Sequence, residues 1–236
     1  RPEDKKDIVL VNWQAHPDSA HEAGYTSINA SWVGPLRDEL ESLSGCQVAY
    51  FTGASGNMAQ DSRIESEMNR LSWRDYGKKM GQIANETLAD LQVVEGDSIK
   101  VTGTMLTVEN DHSWDDQLEQ ADEVFELWKS AGLAAGNALA KNYGFSSVYH
   151  ARAIRTRASR KATDQLEVRA FSIGGIGFTT GTYEMFSTNA LDLKEKSPFD
   201  ITFVITGNSS YIPSKAAFEY RSYESDTGFY VAGTAE

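Results

Sequence analysis

The spacing of apolar positions changes along the chain, and the changes divide it into strands and helices. Ile8-Val9-Leu10-Val11 is an unbroken apolar run, the pattern of a short strand buried on both faces. Residues 31–43 read as a helix with Asn29 or Ser31 as its cap and Pro35 tolerated in the first turn. Gln47-Val48-Ala49-Tyr50-Phe51 reads as the next strand and runs into the glycine loop Gly53-Ala54-Ser55-Gly56-Asn57. Strand, helix and strand in this order form a βαβ unit, which predicts a parallel pair.

Ser72 is expected to cap a helix whose Trp73, Tyr76, Met80, Ile83 and Leu91 recur at helical spacing and pack on the sheet. Residues 98–109 alternate loosely, as a β segment does. A long helix is expected over 115–142, turning Leu118, Ala121, Phe125, Trp128, Ala135 and Leu139 inward and stopping at Gly144. A basic helix over 146–158 carries Arg152, Arg155 and Arg157, with Arg160 just beyond, and reads as a solvated face in preference to an anion site. From Leu166 the chain turns to strands at 166–173, 175–180 and 201–206, with a helix from Glu184 to Lys196 between the last two. The predicted fold class is α/β, with mixed β-sheet layers covered by helices. No repeat or linker-like tract divides the chain, so residues 1–236 are expected to form a single unit.

Composition narrows the function. Across 236 residues, 34 Asp and Glu outweigh 22 Lys and Arg for a net charge of −12, which argues against nucleic acid and against an electrostatic membrane tether. Mean hydropathy is −0.44 and no apolar run approaches the length of a transmembrane segment. The single cysteine, Cys46, excludes an internal disulfide and a cysteine zinc cluster. No secretory leader is visible in a chain that starts at Arg1, which assigns no compartment.

Only four histidines are available: His16, His21, His112 and His150. His112 lies in a polar segment and His150 on the basic helix, neither with a partner nearby in sequence. His21 lies in a loop close to His16. His16 stands apart because Asn12-Trp13-Gln14-Ala15-His16-Pro17 places it just beyond the carboxyl end of the first strand, where open α/β sheets gather their ligands. The Gly53 to Asn57 loop leaves the second strand at its own carboxyl end, so the two share a rim if the strands are parallel neighbours. The loop lacks the Lys-Ser/Thr ending of a P-loop and is no Gly-x-Ser-x-Gly elbow; alone, it reads as a turn that needs glycine dihedrals. Glu184 follows the 175–180 strand and is expected to open the next helix, where the helix dipole favours a carboxylate. Tyr211 follows the 201–206 strand. Together, His, Glu and Tyr at three strand ends form a nitrogen and oxygen donor set suited to zinc or a hard metal.

At these residues the sequence resembles the neutral and alkaline, non-lysosomal ceramidases, specifically the C-terminal part of their catalytic domain. The resemblance rests on the segment around His16, on Gly53 to Asn57, on Gly181-Thr182-Tyr183-Glu184-Met185-Phe186, and on Tyr211-Ile212-Pro213 through Tyr223-Glu224. It implies a zinc-dependent hydrolase of N-acyl amide bonds acting on a small-molecule or lipid-like amide, with one zinc ion. By the resemblance His16, Glu184 and Tyr211 are metal ligands, and Tyr223 is a catalytic residue contacting the substrate carbonyl. Two departures follow from the same comparison. The family's first metal histidine has no counterpart here, so an upstream segment of the same protein is expected to complete the site, and the chain alone is expected to be metal-poor and inactive. The family's Gly-Asp-Val-Ser-Pro-Asn segment aligns on Gly56-Asn57-Met58-Ala59-Gln60-Asp61, which puts Asn57 and Ala59 in place of Asp and Ser. A substrate diverged from ceramide is therefore expected; the alternatives are a catalytically inactive ceramidase-like binding protein and an unrelated α/β domain whose glycine loop holds an anion. Strand edges that the upstream segment would cover are expected to be open to pairing with another copy, giving a homo-oligomer.

Overall fold

The computed structural model describes residues 5–20, 27–60, 66–207 and 209–233; His21, Asp61 and Asn208 lie outside the described residues. Strand β1, Ile8–Trp13, and β2, Gln47–Thr52, pair in parallel from Ile8 beside Gln47 to Trp13 beside Thr52, joined through helix α1, Val33–Ser44. The expected βαβ unit is present. Strand β1 is not buried on both faces: Val9 and Val11 pack into the core, while Ile8 and Leu10 are exposed because the helices cover one side only. Nor does a side chain cap α1. The Asn29 side-chain Oδ1 accepts instead from the Ser31 N–H at 2.8 Å, and Ser31 takes the left-handed conformation just before the helix.

Helix α2, Trp73–Thr87, starts as expected, with the Ser72 hydroxyl oxygen accepting from the Asp75 N–H at 3.2 Å and donating to the Asp75 carboxylate at 2.7 Å. It buries Trp73, Tyr76 and Met80 against Leu36, Leu40 and Val48. The helices meet at backbone distance: a Cβ on Gly77 would come within 2.2 Å of the Trp32 carbonyl oxygen. Leu91 does not belong to this face. The helix ends before it, and the side chain is 70% exposed.

The second half holds a four-stranded mixed sheet. Strand β3, Ile99–Glu109, pairs antiparallel with β4, Thr163–Ile173, along its whole length. Strand β5, Ile176–Gly181, continues antiparallel to β4. After β6, Glu184–Met185, and helix α6, Ser187–Glu195, strand β7, Ile201–Thr206, closes the order β3-β4-β5-β7 in parallel with β5. Strand β8, Tyr211–Ile212, pairs in parallel with β6. Short helices α7, Lys215–Glu219, and α8, Tyr223–Thr227, follow. One sheet face, through Leu166, Val168 and Val204, packs against Tyr183, Met185 and Ile212. The fold is α/β with a mixed sheet packed against helices, as the alternation of periods predicts.

Between β3 and β4 the expected single long helix is two, α3, Leu118–Ala131, and α4, Leu133–Asn142, preceded by one 3-10 turn. Gly132, at φ 88° and ψ 175°, breaks them in a conformation that only glycine takes readily. Their packing against α5, Val148–Ala158, centres on Ala121, Val124 and Ala140, with Phe125 and Trp128 only partly buried. The solvated basic face is corrected at Arg157, which is 2% exposed and hydrogen-bonded throughout. Arg155 and Arg160 pair with Asp122 and Asp164. Among the described residues no helix is long and apolar enough to cross a membrane.

Candidate functional site

Three strands, β1, β2 and β7, end at one rim. The Gly53 N–H donates to the Trp13 carbonyl at 2.8 Å, and the Gly53 carbonyl accepts from the Thr206 hydroxyl at 2.7 Å. The Asn12 amide reaches both the Phe51 and Val204 carbonyls at 3.1 Å, joining the two-stranded sheet to the edge of the four-stranded one. The chain then carries His16 beside Ala59 in a parallel bridge, with the His16 N–H donating to the Met58 carbonyl at 2.8 Å. The His16 carbonyl accepts from the buried Trp32 indole at 2.9 Å. His16 and the glycine loop share the rim, as their places in the sequence imply.

The loop's glycines serve a purpose other than the expected dihedrals, since neither Gly53 nor Gly56 has a positive φ. They allow close approach. The Gly56 N–H donates to the Met185 carbonyl at 2.9 Å, and a Cβ there would lie 3.0 Å from the carbonyl oxygens of both Glu184 and Met185. Asn57 accepts at its side-chain oxygen from the Ser187 N–H at 2.8 Å, capping the start of α6.

Glu184 does not open a helix; it lies in β6, three residues before α6 begins. The β6–β8 register sets it beside Tyr211, and its N–H donates to the Ser210 carbonyl at 2.7 Å. From this strand its carboxylate reaches His16, with Oε2 3.2 Å from Nε2. The ring is poorly aligned for a hydrogen bond, and Oε2 is buried without a hydrogen-bond donor. The pairing with Glu184 raises the His16 imidazole above its usual range, opposed by burial and assisted by the carboxylates of Asp18 and Glu224. The Tyr211 phenol is pushed up to about 12, first by burial and then by Glu184, Tyr223, Glu224 and Asp18. Tyr223, largely exposed at the first position of α8, sets its ring edge-on to Tyr211 at 6.4 Å between centroids.

Two observations bear on a metal. Among the described residues no three His, Cys, Asp or Glu side chains converge; the other oxygen donor beside this pair is Tyr211, set next to Glu184 by the β6–β8 register and lining the same cavity as His16. A set of imidazole nitrogen, carboxylate oxygen and phenol oxygen is of the kind zinc accepts, and Glu184 Oε2, buried without a hydrogen-bond donor and 3.2 Å from the His16 ring, is an acceptor that a cation could satisfy. A cavity of about 700 Å³ opens beside these groups. Its lining includes the polar His16, Tyr211, Asp18 and Glu224 and the apolar Met68, Met80 and Ile83. Gly56, Asn57 and Ala59 also line it.

Both remaining described histidines have partners, His112 one only three residues on, contrary to the expectation, and His150 one from a distant segment. His112 Nδ1 is 2.8 Å from Asp115 Oδ2. His150 is wholly buried, edge-on to Trp114 and Phe145, with Nδ1 3.8 Å from Asp226 Oδ2 and accepting from the Ser146 N–H at 3.4 Å. Burial pushes its imidazole down to about 4. Neither lines the cavity.

No family model matches the chain, and no curated protein matches its sequence. Solved structures do. The neutral ceramidase from Pseudomonas aeruginosa superimposes with a TM-score of 0.56 at 14% identity, covering 94% of this chain and 41% of that one. A ceramidase complexed with C2 gives 0.57 at 13% identity, covering 94% and 42%. Identities this low establish the fold alone, and the chain spans about two fifths of the length of these proteins. In fold, the chain resembles part of a ceramidase.

Proposed function

We propose that the chain carries most of the active site of a zinc-dependent, ceramidase-like hydrolase of N-acyl amide bonds, with a substrate diverged from ceramide. The observation that carries this is the Glu184 carboxylate 3.2 Å from the His16 ring, its Oε2 buried without a hydrogen bond, with Tyr211 set beside Glu184 by the β6–β8 register. The ceramidase-like fold supports the same reading. In it His16, Glu184 and Tyr211 hold one ion. Zinc, when bound, supplies Lewis acidity toward the amide carbonyl and lowers the pKa of a coordinated water. Tyr223, beside Tyr211, donates its phenol proton in a hydrogen bond to the oxyanion that develops at the carbonyl. The apolar lining side chains, Met68, Met80 and Ile83, take the acyl portion, and the methyl of Ala59 leaves no hydroxyl at the position where the resemblance places a serine. A further ligand belongs to an upstream segment of a longer protein, so this chain alone binds zinc weakly and is inactive.

Zinc content and acyl-amide turnover of the longer protein, with and without His16→Ala, test the proposal. Zinc-dependent turnover with one ion per chain is expected, and both should be lost in the variant. The second reading, an inactive ceramidase-like binding protein, rests on Ala59 at the cavity wall; it is favoured instead if zinc binds normally but a panel of acyl amides binds without being cleaved.

A further inference from the structure

Helix α8 is five residues long, too short to hold its shape or position without tertiary contacts. It carries Tyr223 at its first position and Glu224, which lines the cavity, at its second. Helix α5 supplies contacts at both of its ends. Near the start of α8, Tyr149 of α5 meets Tyr223 edge-on at 6.2 Å. At its end, the buried Arg157 guanidinium donates from Nε to the Gly228 carbonyl at 2.7 Å, and from Nη2 to the Asp226 and Ser225 carbonyls at 2.5 and 3.4 Å. These carbonyls belong to the last turn and the residue after it, the acceptors that a helix leaves open and where its dipole favours a cation. Nη1 donates to Asp111 Oδ2 at 2.7 Å, which balances the charge. The Asp111 N–H donates to the Phe229 carbonyl at 2.8 Å, so the same aspartate also secures the chain just beyond α8.

We infer that Arg157 is a positioning residue for the active site, fixing α8 through its final carbonyls and thereby setting where Tyr223 and Glu224 stand. The planar guanidinium is what lets one side chain serve three carbonyls and a carboxylate together; a lysine ammonium has three donors and no fork. The catalytic part of this inference rests on the function proposed above, while the placement of α8 does not.

Hydrogen exchange on the chain and kinetics on the longer, zinc-loaded protein test the two parts separately. Arg157→Met removes the donors, and Arg157→Lys keeps the charge in case the first variant fails to fold. Exchange is expected to accelerate about tenfold or more at amides 223–229 and to stay within twofold at 8–13 and 47–57. Unchanged exchange at 223–229, or equal acceleration throughout the chain, overturns the placement. In the kinetics, Arg157→Lys is expected to lower kcat about tenfold in the parent and to have little further effect in Tyr223→Phe, because both changes act on one interaction. Fully additive losses overturn action through Tyr223. Absence of any turnover in the parent refutes the proposed function and leaves the exchange result to decide the placement of α8.

Discussion

His16, Glu184 and Tyr211 show how much the surroundings of one side chain decide. The same residue type has a different fate at His150, where burial against Trp114 and Phe145 pushes the imidazole down to about 4 from an ordinary 6.5. Between these values the unfolded chain binds more protons than the folded one. Stability should therefore fall as pH drops through about 6.5 and level off below about 4, by at most about 3 kcal/mol. Urea unfolding across that range checks this, and His150→Leu should flatten that part of the profile; an unchanged profile in the variant assigns the dependence elsewhere. At this scale the sequence reveals the candidate ligands through their places after strands, and conceals their environments. Nothing near His150 or Arg157 in the chain marks them as buried, because the partners, Asp226, Asp111 and the carbonyls of α8, arrive from distant segments.

Long elements with a regular period are legible and very short ones are not. β1, β2, α2 and the strands from 163 onward lie close to where the apolar pattern puts them. The two-residue strands β6 and β8 have no period to read, yet they place Glu184 beside Tyr211. The break between α3 and α4 escapes a reading by apolar spacing for a related reason: a single glycine backbone conformation interrupts a continuous helical pattern. Gly132 has no atom within contact distance of where a Cβ would stand, so replacing it incurs conformational strain without a clash. Gly132→Ala is expected to destabilise the chain by about 1–3 kcal/mol while leaving zinc affinity within twofold. Thermal unfolding and zinc titration of the variant check both halves; a neutral effect on stability shows that α3 and α4 can merge.

Over the whole molecule, the mixed sheet is covered on one face and much more open on the other. Ile99, Ile173, Ile176 and Ile201 form one row across its four strands, and Val101 lies in the next beside Phe171. Ile99 is 69% and Val101 73% exposed on the edge strand β3. An aliphatic edge of this kind favours association. The chain is expected to scatter light as a species larger than 26.0 kDa at tens of micromolar, and Val101→Lys should restore the monomer mass; a monomer at all concentrations contradicts this. That openness accords with a fold that spans about two fifths of its structural neighbours.

The central claim is that His16, Glu184 and Tyr211 share one zinc ion, and a calorimetric zinc titration of the longer protein, in parallel with its Glu184→Gln and Tyr211→Phe variants, tests it most directly. One saturable site per chain is expected, weakened by at least roughly 10–100-fold in each variant, since loss of a mere supporting contact already costs that much. Absence of saturable binding, or an isotherm that neither substitution changes, contradicts the account.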